Sequence, residues 1–113
     1  MAEVPVIRKL YEFYGELHAS ILLFPKVDKH TLGQTLQAKS LQLMETILLA
    51  SRMSGGTKKD MLLRANSQLD LLKLLIRLGN DIKAIKQKQY LVLEERLQEI
   101  GKMLGGWLRS LSS

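Results

Sequence analysis

The residues able to do chemistry are few and scattered. The chain has two histidines and no cysteine, which excludes a disulfide framework, a thiolate metal site and a cysteine nucleophile. Neither His18 nor His30 has a second histidine or a carboxylate three or four residues on, the spacing that pairs ligands on one helix face. His18 follows Tyr14 by four positions and reads as a packed or hydrogen-bonded histidine. His30, beside Asp28 and Lys29 near a helix start, reads as exposed. Ser54-Gly55-Gly56-Thr57-Lys58-Lys59 offers the residue types of a phosphate loop, but with the wrong glycine spacing and no strand before it. Glu94, Glu95 and Glu99 lie near Lys102 among surface positions of a helix, where they support that helix rather than perform acid–base work. The expectation is a non-enzyme with no catalytic residue, no metal and no cofactor.

What remains is positive charge. The net charge is +6, which hints at polyanions and is also within what solubility alone explains at this size. Placing the cations requires the elements that carry them.

The chain has 113 residues, 46% of them apolar and 25% charged, ordinary values for one globular domain spanning residues 1–113. No apolar run approaches the ~18 residues needed to cross a bilayer, and Glu3, Arg8, Lys9, Glu12 and Glu16 interrupt any signal-peptide core. A cytoplasmic address and no membrane partner are the default expectations. Helical periodicity predicts four helices, at about 5–24, 29–53, 58–86 and 89–111. Pro5 suits a first turn, and Ile7, Leu10, Tyr14, Leu17, Ile21 and Phe24 form the inward stripe of the first helix. Asp28 or Thr31, the latter with Gln34 in a capping box, starts the second, and Ser54-Gly55-Gly56 ends it. Thr57 with Asp60 is a weak cap for the third. The boundary between the last two is the least marked, because Lys86–Gln89 holds neither glycine nor proline. Short connectors between helices of this length predict an all-α, up-down-up-down antiparallel four-helix bundle.

Asn66–Ile85 in the third helix is more apolar than one buried face requires. Leu62, Ala65, Leu69, Leu72 and Ile76 make one stripe, and Leu71, Leu74, Leu75, Leu78, Ile82 and Ile85 make a second. Only the line Asn66, Asp70, Lys73, Arg77 and Asn80 is polar. A helix apolar on two sides in so short a chain points to a partner subunit. Spacing alone leaves open which stripe is core. Gly101, Gly105 and Gly106 sit inside the fourth helix at a cost of about 1 kcal/mol each relative to alanine. Gly101 and Gly105 stack on one side, admitting either a bulky neighbour within the bundle or another subunit. Trp107 reads as core or interface. The expected subunit contacts are therefore Leu71, Leu74, Leu75, Leu78, Gly101, Gly105 and Trp107.

In such a bundle the charges separate by height. At one end Arg8, Lys9, Arg52, Lys58, Lys59, Arg64 and Arg109 outnumber Glu3 and Asp60, and at the other Lys26, Lys29, Lys83, Lys86 and Lys88 outnumber Asp28 and Asp81. The waist is net negative. A cyclic oligomer would repeat each basic end around a rim, where phosphates bind through their backbone charge and with strong salt dependence. Arg52, Lys58, Lys59 and Arg64 lead that candidate nucleic-acid surface, with Lys83, Lys86 and Lys88 at the second rim. Solvated, lysine-rich hairpin ends are the alternative.

Three segments carry a family resemblance: LLFPKVDKHTLGQTL, LDLLKLLIRLGNDIK and LEERLQEIGKMLGGWLRSL, above all Ile100-Gly101-Lys102-Met103-Leu104-Gly105-Gly106-Trp107. They resemble the bacterial four-helix-bundle family that includes Avd, the accessory variability determinant of diversity-generating retroelements, and proteins encoded by intervening sequences in large ribosomal RNA genes. The resemblance covers nearly the whole chain. It implies a four-helix protomer and, in the manner of Avd, a homopentameric ring that binds a reverse transcriptase and RNA or DNA. A stand-alone scaffold of the intervening-sequence type, with no nucleic-acid role, is the other function it implies.

Overall fold

The computed structural model describes residues 4–112, and Glu3, counted above among the end charges, lies outside them. Helix α1 is Val4–Leu22. Helix α2 runs through three consecutive segments, an α-helical turn Lys26–Asp28, a π-helical stretch Lys29–Gly33 and the α-helix Gln34–Ser51. Helices α3 and α4 are Gly55–Asp81 and Gln87–Ser112, and the described residues contain no strand. Each helix packs on the one before and after it, and α4 closes against α1. The result is a rod of 46 × 21 × 20 Å. This is the four-helix bundle expected from the periodicity.

The helix ends depart from the expected caps. Leu23 and Phe24 donate to the Ser20 and Ile21 carbonyls at 3.0 Å, tightening the end of α1. Helix α2 then begins at Lys26, directly after extended Pro25 (φ −53°, ψ 145°), rather than at residue 29. Asp28 and Thr31 lie inside it. The Thr31 hydroxyl donates back to the Val27 carbonyl at 3.0 Å, so the Thr31–Gln34 capping box does not form. Helix α3 starts at Gly55 rather than residue 58, with no side-chain cap from Ser54, so Thr57 and Asp60 are within it. The left-handed backbone of Gly55 (φ 62°) serves the start of α3, not the end of α2. Helix α4 begins at Gln87, two positions before the expected start, and continues to Ser112.

The end of α3 is the largest correction. The helix stops at Asp81, not residue 86, because Lys83 takes up a left-handed conformation (φ 67°). The Lys83 N–H donates to Asn80 O (3.0 Å) and the Ala84 N–H to Gly79 O (2.9 Å), the paired bonds of a Schellman motif. The Asn80 side-chain amide donates to Ile85 O at 3.1 Å. Ile85 folds over Gly79: a Cβ there would stand 2.5 Å from Ile85 Cδ1 and 3.2 Å from Leu32 Cδ2.

Burial decides the stripes. Leu62, Ala65, Leu69, Leu72 and Ile76 of α3 are in the core, with Leu36, Leu43, Ile47 and Ala50 from α2 and Leu93, Leu97, Ile100 and Leu104 from α4. In α1 the core residues are Val6, Leu10, Phe13, Leu17 and Ile21. Ile7 and Tyr14, expected inward, are half-buried at the edge, since the buried stripe is turned toward Val6 and Phe13. Ile85 is buried because the chain turns at Lys83 and carries it out of the second stripe of α3. His18, expected to be packed or hydrogen-bonded, is exposed. Buried Ser20, Ser40 and Thr46 satisfy their hydroxyls by donating one turn back, to the Glu16, Leu36 and Gln42 carbonyls.

Candidate nucleic-acid and subunit interfaces

The up-down order brings the start of α1, the α2–α3 turn and the end of α4 to one end of the rod. Arg52 closes α2 there (φ −101°, ψ 0°), and Lys59 and Arg64 project from the first turns of α3. All three are exposed, and among the described residues none lies within ion-pair distance of a carboxylate. Lys58 differs from them. It is half-buried, with its ammonium 5.2 Å from the centroid of the Trp107 ring, a cation–π contact that ties the start of α3 to the end of α4. Trp107 itself is half-buried against the core. Lys83, Lys86 and Lys88 are exposed at the opposite end.

Lys9 leaves the basic end for the waist. Its ammonium stands 2.9 Å from Glu99 and 3.8 Å from Glu12, while the Arg96 guanidinium stands 3.3 Å from Glu12 and 3.5 Å from Glu16. Apart from Lys9–Glu12, which lies within α1, these pairs cross from α1 to α4. The hydrogen bond and the charge of Glu99 hold the Lys9 pKa above its usual value, with Glu12 adding to the effect. With two cations against three carboxylates the face offers no excess positive charge to a polyanion.

Two other faces are apolar and uncovered. On α3, Leu71, Leu74 and Leu78 are 37%, 62% and 46% exposed, against 0% for Leu69 and Leu72 one step round the helix. Leu75 is half-buried between them. The second apolar face lies between α1 and α2, where Tyr11, Tyr14, Gly15, His18, Leu41 and Met44 line a groove of about 520 Å³. The periodicity puts Tyr14 in the inward stripe, lets Tyr11 and Phe13 widen its arc, and makes His18 a packed or hydrogen-bonded histidine; of these Phe13 alone is buried. The spacing 11, 14, 15, 18 was visible, but its outward direction follows only from which α1 stripe is buried.

The glycines of α4 separate. Gly101 faces the protomer's own α3, with a Cβ position 3.4 Å from Leu69 Cδ2 and from Lys73 Nζ. Gly105 lies beneath the Arg109 guanidinium of its own helix, 3.3 Å from the corresponding point. Neither glycine has another helix backbone against it in the protomer. Between α3 and α4, the polar line of α3 supplies Asp70, Lys73 and Arg77 to a groove of about 620 Å³ shared with Tyr90 and Glu94. The hydrogen bond to Glu94 raises the Tyr90 pKa, aided by desolvation. Among the described residues there is no cluster of three or more histidine, cysteine or acidic side chains that could hold a metal ion, and no helix is long and apolar enough to cross a membrane.

Compared with known families, the chain matches the model described as bAvd-like over residues 6–111. No curated protein matches the chain.

Proposed function

Because the chain belongs to the bAvd-like family, we propose that it is a non-catalytic accessory protein that assembles into a cyclic homo-oligomer and joins nucleic acid to a reverse transcriptase, as in a diversity-generating retroelement. The observation that carries this reading is the second stripe of α3, three large leucines exposed beside a completed core. Its counterpart is the α1–α2 groove. Two different apolar faces on one protomer suit a heterologous contact, in which face meets unlike face and rotation closes a ring, better than a two-fold contact of a face with itself. By resemblance the ring is a pentamer. Gly101, Gly105 and Trp107 are secondary contacts in this reading, subordinate to the leucines.

Ring closure would repeat Arg52, Lys59 and Arg64 around one rim. Those side chains are exposed and, among the described residues, have no carboxylate within ion-pair distance, which suits phosphate contacts that carry no base specificity. Lys58 joins them only if phosphate draws its ammonium from Trp107.

The test is solution mass together with mobility shift. The assembly should sediment as a multiple of the 12.8 kDa protomer, and a monomer at micromolar concentration overturns the ring. RNA and DNA should be shifted at low salt, with affinity falling steeply toward physiological salt. No shift at low salt overturns the nucleic-acid role, and absence of a reverse-transcriptase gene beside this one, or failure of its product to co-purify, overturns the partner.

A further inference from the structure

Both ends of the rod are basic and both carry exposed apolar side chains, Leu48, Leu49, Leu63 and Leu111 toward the Arg52 end, but only at the opposite end do these side chains stand in the turns themselves. The α1–α2 and α3–α4 turns share the end opposite Arg52, held together where Leu32 and Ile85 meet over Gly79. From these turns Leu22, Leu23, Val27 and Ile82 project with 60%, 61%, 73% and 50% of their surface exposed. Phe24, between Leu23 and Val27, points the other way and is buried in the core, so the outward residues are not a continuation of the interior. Lys26, Lys83, Lys86 and Lys88 stand around them, all exposed, against Asp81 exposed and Asp28 half-buried. No arginine lies in either turn.

We propose that this end is a docking surface for an anionic lipid bilayer, with the four aliphatic side chains entering the headgroup boundary and the lysines held at the phosphate level. Stable attachment to a bilayer takes two signals, an apolar insertion and a polybasic patch, and this end carries both within one cross-section. Lysine suits the position, because its flexible stem follows the apolar surface while its ammonium remains in the polar layer. A protein partner fits less well. The cations of this end are all lysines, a residue depleted in protein interfaces. The expectation of no membrane partner rested on the lack of a spanning run, and surface contact does not require one: the residues come from two turns far apart in sequence. The proposal stands on a single protomer, and a ring would only repeat it.

The experiment is co-sedimentation of the full chain with phosphatidylcholine vesicles, with and without phosphatidylglycerol. Binding should require phosphatidylglycerol, fall about tenfold or more in the double variant Leu22→Ser, Leu23→Ser, fall similarly in Lys83→Gln, Lys86→Gln, and be unchanged in Arg52→Gln, Lys59→Gln. Circular dichroism confirms that each variant is folded. Three results overturn the proposal: no binding to phosphatidylglycerol vesicles; binding that ignores the leucines and weakens equally with cations removed from either end, which is charge adsorption alone; or a loss of RNA affinity in Lys83→Gln, Lys86→Gln with vesicle binding intact, which assigns this end to nucleic acid.

Discussion

Lys83 is a lysine in a position that favours glycine. Its left-handed backbone (φ 67°) completes the cap of α3 at a cost of about 1 kcal/mol for a residue with a Cβ. Lys83→Gly should therefore raise stability by about 0.5–1 kcal/mol, read as a higher urea midpoint with an unchanged slope. Gly79 is the opposite case, since a methyl there collides with Ile85 in the core. Gly79→Ala should cost about 1–3 kcal/mol through overpacking, and an unchanged midpoint would show that Ile85 moves aside freely. This turn also marks where sequence reading stops. The apolar period runs through Ile82 and Ile85 without interruption, and a lysine gives no sign that the backbone reverses hand. The same holds for the α2 start, where a backbone turn after Pro25 displaces two better-looking side-chain caps.

At the scale of the element, α3 is the clearest success of periodicity and also its limit. The spacing separates two stripes correctly, but assigning one to the core needs the neighbouring helices in place. With Leu69 and Leu72 enclosed and Leu71 and Leu78 exposed, Leu71→Glu with Leu78→Glu should leave a helical, folded chain of monomeric mass. Leu69→Glu should instead abolish the cooperative unfolding transition seen by circular dichroism. If the first variant also unfolds, the exposed stripe is part of the protomer's own fold. Helices α1 and α4 are joined differently, through Lys9, Glu99, Glu12 and Arg96. The partners across α1 and α4 were invisible in sequence because those pairs span most of the chain, Lys9–Glu12 alone being local. The Lys9 pKa is raised in the folded state above its ordinary 10.5, so its stabilising contribution is fully present below that ordinary value and is lost as pH rises through the folded one. Urea midpoints followed into the alkaline range should fall for the parent chain more than for Lys9→Met. The exposure of the pair keeps the difference small and sensitive to salt.

As a whole molecule, the rod distributes its surface by direction: paired charge on the α1–α4 face, apolar surface on two others, and cations at both ends. Composition gave the sum of these charges, and topology gave their height, but only side-chain packing removed Lys9 from the end and set Lys58 against Trp107. That last contact has a practical consequence. The chain has a single tryptophan, and it sits under Lys58, a cation of the candidate phosphate-binding end. Its emission is thus a built-in optical gauge: titration with unlabelled RNA should change the tryptophan fluorescence as Lys58 is drawn away, whereas Lys58→Met should keep a fluorescence that RNA no longer moves.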